Sequence, residues 1–194
     1  MKKTYGSTLS RKQQIVQAAR KLVIEYGSEN VTVRKIAKEV GFSEAAVYRH
    51  FKGKKEILFA LVENIRETLI SGLESKDYSG PDLLMEVLMN HLSEIEMRRG
   101  VSFQVIAEII SLGDRTLNHE IYEVLNQYID KLKALLSDEV KGNKLRKDID
   151  IDANAIILFS IIQALSNLWT LSNYSFNPRE KLKPIMKALY SGLK

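Results

Sequence analysis

Apolar residues recur along most of the chain at intervals of three and four, the spacing that keeps side chains on one face of an α-helix. Ile15, Ala18, Ala19, Leu22, Val23 and Tyr26 form the first such stripe. Ser10 and Gln13 stand before it in capping-box relation and Gly27 follows as a stop, which places a helix over about 10–26. Short helices are expected at about 33–40 and 43–50, with Gly41 between them and Ser43 as an N-cap. Ile57, Leu61, Ile65, Leu69 and Leu73 make an i+4 row on a long helix over about 54–74, which the Ser75-Lys76-Asp77-Tyr78-Ser79-Gly80 stretch ends. Pro81, at a first helical position, opens a helix to about 98, and further helices are expected at 101–112 and 116–137. Lys141-Gly142-Asn143 is the clearest loop. Asp150 or Asp152 caps a helix running to about 172. Asn177-Pro178-Arg179-Glu180 reads as a capping box with proline at N1, opening a last helix to about 192 that Pro184 should kink. No segment alternates with strand chemistry, so the expected class is all-α with about nine helices.

The helix over 152–172 differs from the others. Ile156, Ile157, Leu158, Phe159, Ile161, Ile162, Leu165, Leu168, Trp169 and Leu171 leave it almost no polar face, and a helix apolar all round must be covered all round. A second subunit is the economical cover for the side its own chain leaves open. With the last helix it suggests a dimer interface drawn from Phe159, Gln163, Asn167, Ile185, Met186 and Leu189.

Composition narrows the class. The chain has 194 residues, 45% hydrophobic and 27% charged, close to globular averages, and no run is expected to approach the ~18 apolar residues of a bilayer span. There is no cysteine, which excludes a disulfide framework, a thiolate metal site and a cysteine nucleophile. MKKTYGSTLS has no apolar stretch behind its lysines, so the expected location is cytoplasmic, with no membrane partner. The net charge of +5 is unevenly placed. Residues 1–55 hold 13 Lys/Arg against 4 Asp/Glu, giving +9, and the remainder carries −4. A basic lobe on a mildly acidic body points to a polyanion-binding module joined to something else.

Between Val31 and Leu58 the chain reads VTVRKIAKEVGFSEAAVYRHFKGKKEIL. In a helix-turn-helix two short helices cross steeply: the first needs a small residue at the crossing, the turn a residue tolerant of positive φ, the second an inward aliphatic. Ala37, Gly41 and Val47 supply these, Ile36 and Val40 complete the inner face, and Phe42 closes the turn. The first turn of the second helix, Ser43-Glu44-Ala45-Ala46, has small side chains that let the backbone approach a major groove. Ser43 or Glu44 could meet base edges there, and the alanines a thymine methyl. Tyr48, His50 and Lys54 suit phosphate oxygens.

In Thr32, Ile36-Ala37, Gly41, Tyr48-Arg49-His50-Phe51, Lys54 and Leu58 the sequence resembles the TetR family of prokaryotic transcriptional regulators, over about residues 10–60. The resemblance implies a three-helix DNA-binding domain over 1–53, then a ligand-sensing and dimerisation domain over 54–194 with helix 4 as linker. It also implies a homodimeric repressor on a palindromic double-stranded operator, released by a small hydrophobic or amphipathic effector. Arg34 matches a family position that can reach a base, and its fork suits guanine O6 and N7. Thr32, Arg34, Lys35, Ser43, Glu44, Ala45, Ala46, Tyr48, His50 and Lys54 are therefore the candidate DNA contacts. The alternative is an architectural or cell-cycle DNA-binding protein of the same fold with no effector.

For the effector, polar residues on apolar stripes are the informative ones. His91 shares a face with Leu84, Val87, Leu88 and Ile95, Gln104 and Glu108 lie among Phe103, Ile106 and Ile109, and Gln163 and Asn167 interrupt the apolar helix. Leu88, His91, Leu92, Phe103, Gln104, Ile106, Leu125, Phe159 and Gln163 are the candidate ligand lining. The bland reading of His91 is a core histidine satisfied by a neighbouring carbonyl or carboxylate. Glu108, if it points inward, favours a cation. With three histidines and no i+4 ligand partner for His91 or His119, no metal is expected. No catalytic constellation or cofactor loop stands out, so no enzyme is expected.

Overall fold

A computed structural model describes residues 9–73 and 82–193. Among them are nine α-helices: α1 Arg11–Tyr26, α2 Val33–Val40, α3 Glu44–Tyr48, α4 Lys54–Ser71, α5 Leu83–Met97, α6 Val101–Ser111, α7 Arg115–Lys141, α8 Ile151–Leu171 and α9 Pro178–Leu193. A short 3-10 turn, Ser28–Asn30, follows α1. The expected end signal at Ser75–Gly80 and the start signal at Pro81 lie outside the described residues.

The helix starts follow local chemistry. Ser10 Oγ accepts from Gln13 N while the Gln13 side chain accepts from Ser10 N, closing the expected capping box. Thr32 Oγ1 and Ser43 Oγ cap α2 and α3 by accepting from Lys35 N and Ala46 N. Of the two aspartates before α8, Asp150 is the cap, accepting from Ala153 N at 2.9 Å, and Asp152 instead pairs with Lys133 at 2.6 Å. Asn177 Oδ1 caps α9 by accepting from the backbone N–H groups of Arg179 and Glu180, and α9 continues through Pro184.

Two boundaries differ from the sequence expectation. The second short helix stops at Tyr48, because His50 N and Phe51 N both turn back onto the Val47 carbonyl as Phe51 enters the core. The long helix over 116–137 continues to Lys141, where the backbone N–H groups of Gly142 and Lys144 close its end on the carbonyls of Asp138 and Glu139.

The described chain divides into two compact units, and the division falls inside α4, α6 and α7. The first comprises residues up to 65 together with 105–120. Its core holds Ile15, Ala19, Val23, Ile36, Val47, Phe51, Leu58 and Leu61. The second comprises 66–104 and 121–194. There α5, α8 and α9 pack on one another around Leu84, Leu88, Leu92, Leu158, Ile162, Leu182 and Met186. Each such aliphatic, fully buried, stabilises the fold by roughly 1.5–3 kcal/mol.

Helix α8 corrects one expectation. It is 21 residues long and, by length and composition, apolar enough to cross a membrane, whereas no run was expected to approach a span. In the fold it is a bundle helix. Ala155, Leu158, Ile162, Leu165 and Trp169 form its buried stripe, and Ile156, Ile157, Ser160, Ala164, Asn167, Leu168 and Leu171 form an exposed, largely apolar one.

Candidate nucleic-acid interface and effector cavity

Residues 32–54 form the helix-turn-helix, and its turn depends on one glycine. Gly41 sits at φ 79°, ψ 30°, a left-handed conformation that costs a side chain roughly 1–2 kcal/mol. That conformation lets Gly41 N donate to the Lys38 carbonyl and Phe42 N donate to the Ala37 carbonyl at 2.8 Å, closing α2 as a Schellman motif. Ala37 is buried at the crossing and Val47 is fully buried beneath α3. The Arg11 guanidinium stacks 4.6 Å from the Phe42 ring, and Lys21 pairs with Glu39 at 2.6 Å, fixing α1 against α2.

The candidate DNA residues sort by exposure. Thr32, Arg34 and Lys35 are exposed at the start of α2, Ser43, Glu44 and Ala45 are exposed at the start of α3 with Ala46 half-buried, Tyr48 is exposed at the end of α3, and His50 is exposed beyond it. Two of the lysines are tethered to the fold. Lys35 Nζ donates to the Asn30 carbonyl at 2.8 Å and lies over the Tyr26 ring. Lys54 Nζ donates to the Glu29 carbonyl at 3.3 Å, and partial burial holds its pKa below the ordinary lysine value.

The same unit contains a polar link that sequence reasoning missed. Glu108 of α6 accepts a hydrogen bond from Ser28 N at 3.0 Å, and its own carbonyl accepts from Ser28 Oγ at 2.8 Å. Ser28, in the turn between α1 and α2, is almost wholly buried. Nearby in the fold, Lys55 pairs with Asp114 at 2.8 Å, and together with the Leu117 backbone N–H it holds that carboxyl below its usual pKa. Glu108 is therefore committed to the backbone of the helix-turn-helix unit and does not favour a cationic ligand. A glutamate on an apolar stripe was the only signal available, and its partner lies 80 positions away.

In the second unit, the expected ligand lining is distributed otherwise than the stripes suggest. Leu88, Leu92 and Phe103 are buried in its core, while Gln104, Leu125, Phe159 and Gln163 are half-buried; Ile106, also buried, belongs to the first unit. Phe159 packs against Phe103 and Tyr128, with ring centroids 6.4 and 5.7 Å apart. A small cavity of about 10 Å³ lies where the end of α4, the second half of α5 and the start of α6 meet. His91 and Phe103 line it, together with Leu69, Glu94, Ile95 and Arg98, which lie outside the expected lining.

His91 is 1% exposed and, among the described residues, neither ring nitrogen has a hydrogen-bond partner. The expectation of a core histidine satisfied by a neighbouring carbonyl or carboxylate does not hold. Glu94 Oε2 and the hydroxyl of the fully buried Tyr128 are likewise unpartnered, and the Tyr128 ring lies 5.4 Å from that of His91. Burial lowers the His91 pKa to about 3, so the ring is neutral near pH 7, and burial raises that of Tyr128. Each orphaned group costs about 1–3 kcal/mol relative to a satisfied one. Gly72 is part of the arrangement: a methyl group there would clash with His91 Nδ1 and stand 3.1 Å from Glu94 Oε2.

Of the candidate dimer residues, Asn167 and Ile185 are exposed, Phe159, Gln163 and Leu189 half-buried, and Met186 fully buried within its own unit. Met186 therefore lies beneath the surface of α9. The exposed α8 stripe, including Leu168 at 57% and Leu171 at 80%, was not singled out, because an all-apolar helix carries no periodicity to tell its two faces apart.

Residues 15–61 match the model described as bacterial regulatory proteins, tetR family, and residues 54–192 match that of the YsiA-like protein C-terminal region. Among curated proteins, the chain is 22% identical over 183 residues to the fatty acid metabolism regulator protein of Bacillus subtilis, covering 93% of this chain and 94% of that protein. It is 29% identical over 181 residues to the nucleoid occlusion factor SlmA of Vibrio cholerae, covering 88% and 89%. Among solved structures, the Bacillus subtilis regulator FadR in complex with stearoyl-CoA superposes with a TM-score of 0.78 at 21% identity, over 93% of this chain and 98% of that one. With the two family models together spanning both units and a helix-turn-helix at the matching place, the chain belongs to the TetR family of bacterial transcriptional regulators.

Proposed function

We propose that the protein is a homodimeric repressor that binds a palindromic operator and is released from it by a small amphipathic effector held in the helical body. Arg34 reads a base, Ser43 to Ala46 bring the α3 backbone to the groove floor, and Tyr48, His50 and Lys54 hold phosphates. Lys35, already bonded to the Asn30 carbonyl, contributes charge more than a directed contact. The exposed stripe of α8, with Ile185 of α9, packs on its copy in a partner subunit. Such a dimer needs half-sites about 34–36 Å apart, or a multiple.

The observation that carries the effector half of the reading is the pair of unpartnered polar side chains, His91 and Glu94, lining a cavity in an otherwise apolar core. At about 10 Å³ that cavity has room for one water, so the effector must bind a conformer in which it is open. Equal affinity for both conformers would shift nothing. Two helices carry both cavity-lining residues and residues tied to the helix-turn-helix: α4 contains Leu69 and Lys54, and α6 contains Val101 and Glu108, which holds Ser28. Displacing either helix at the cavity end changes the support of the helix-turn-helix, and through the dimer the spacing of the two α3 helices.

The relatives include both a metabolic regulator and a nucleoid occlusion factor, so a chromosome-marking role is the second reading. Genome-wide occupancy separates them. One or a few bound sites, lost when the effector is supplied, support the repressor; many dispersed sites indifferent to small molecules support the other.

A further inference from the structure

Polar atoms buried without partners are rare in folded proteins, and a cluster of them beside a cavity describes the chemistry that would satisfy it. Here the cluster is acceptor-rich. Glu94 Oε2 accepts only, a neutral imidazole offers one acceptor and one donor, and Tyr128, whose ring lies 5.4 Å from that of His91, is not part of the lining. The buried remainder of the lining is apolar, from Leu69, Ile95 and Phe103, and the half-buried Thr68 and Ser102 add hydroxyls nearer the surface. The one cation in the lining, Arg98, is exposed, and its Nη1 donates to Thr68 Oγ1 at 2.9 Å.

A plain alkyl or acyl end pushed into this site would leave His91 and Glu94 unpaired. A carboxylate would add like charge beside Glu94 in a place with little water. A head with N–H or O–H donors, above all a protonated amine, satisfies both acceptors at once. We infer that the effector enters with its hydrogen-bond-donating head first, an alkylammonium or hydroxyl group meeting Glu94 Oε2 and His91 while its apolar body lies against Leu69, Ile95 and Phe103. This rests on the effector reading above and deepens it, because it names the chemical class of the end that is buried. Gly72 is the residue that makes the geometry possible, since no side chain fits between the end of α4 and the His91 ring.

The test compares decylamine, decanol and decanoate, which share a tail and differ in head, by titration calorimetry on the full-length protein below their micelle thresholds. Decylamine is expected to bind most tightly, decanol next, and decanoate at least tenfold more weakly than decylamine. His91→Leu removes a buried, unsatisfied group, so its melting temperature holds or rises while decylamine affinity falls at least tenfold; this separates loss of the site from loss of the fold. Glu94→Gln should narrow the preference for decylamine over decanoate. Decanoate binding as tightly as decylamine, or His91→Leu binding decylamine like the wild type, would overturn the inference and leave an effector site of other chemistry. Binding of none of the three up to their solubility would overturn the effector reading itself, and this inference with it.

Discussion

The helix-turn-helix segment and the core around α5 treat their buried polar groups in opposite ways. Through the helix-turn-helix, caps at Ser10, Thr32 and Ser43 take up free backbone N–H groups, Gly41 closes α2, and Glu108 satisfies the N–H of the buried Ser28. Among the described residues up to 60, no buried side-chain nitrogen or oxygen is left without a partner. The second unit leaves both ring nitrogens of His91, Glu94 Oε2 and the Tyr128 hydroxyl without partners, and in the first unit Asn118 Oδ1, on α7, is the one such atom among the described residues beyond residue 60. A segment that must present the same surface to DNA each time is held by local, redundant bonds. A segment that must change when something binds keeps polar groups whose partners are supplied from outside.

If that contrast is right, the largest effect belongs to the subunit contact on which two-site binding depends. Leu168→Glu puts a charge in the middle of the exposed α8 stripe, where a dimer would deny it water and a partner. The protein should sediment as a monomer with unchanged helicity, and its affinity for a full operator should drop a hundredfold or more. An undiminished dimer would move the interface off α8.

Next is base reading. Arg34→Ala should cost on the order of 1–3 kcal/mol on the operator and relax preference at one base pair, read by competition against single-base variants. Lys54→Ala should weaken operator and random DNA alike and lower the salt slope by about one. Because Lys54 also donates to the Glu29 carbonyl, its variant should lose some thermal stability that Arg34→Ala does not.

The link between α6 and the helix-turn-helix comes third. Glu108→Ala leaves Ser28 N without its acceptor in a nearly closed site, a cost of about 1–3 kcal/mol in the stability of the first unit. Hydrogen exchange at the α1–α2 turn should speed up, while the salt slope of DNA binding stays as it was. An unchanged exchange rate would mean that α6 does not support the turn.

How much of this was legible follows the same contrast. Ala37, Gly41 and Val47 could be read because a helix-turn-helix encodes its geometry in residues four and six positions apart. Caps and helix periods were readable for the same reason. The Ser28–Glu108 bond, the closeness of Gly72 to His91, and the inward face of Met186 depend on packing between segments tens of residues apart. His91 was noticed as a polar residue on an apolar stripe, but its lack of partners could only be found once its neighbours were in place. The outward face of α8 was hidden by uniformity, since Ile156 and Leu168 look in sequence like Leu158 and Leu165, which are buried.

The smallest effect is a slope. Because the folded His91 pKa lies near 3 and the unfolded one near 6.5, only the unfolded state takes up this proton between those values. Stability therefore falls as pH drops below about 6.5, by on the order of 1 kcal/mol per unit, and has no contribution from this residue above it. His91→Leu should remove that part of the acid slope in urea melts followed from pH 7 to pH 4. An identical slope in both proteins would mean that His91 finds a partner in solution.

The account turns on one region sensing for the other, and DNA release tests that most directly. A DNA site selected from a random pool by the full-length protein is titrated with wild type and with His91→Leu, each with and without saturating decylamine. The selected site should be palindromic, both proteins should bind it equally without the amine, and the amine should weaken only the wild type, by tenfold or more. If decylamine binds the wild type and leaves its DNA affinity unchanged, or weakens both proteins alike, the cavity does not control the helix-turn-helix.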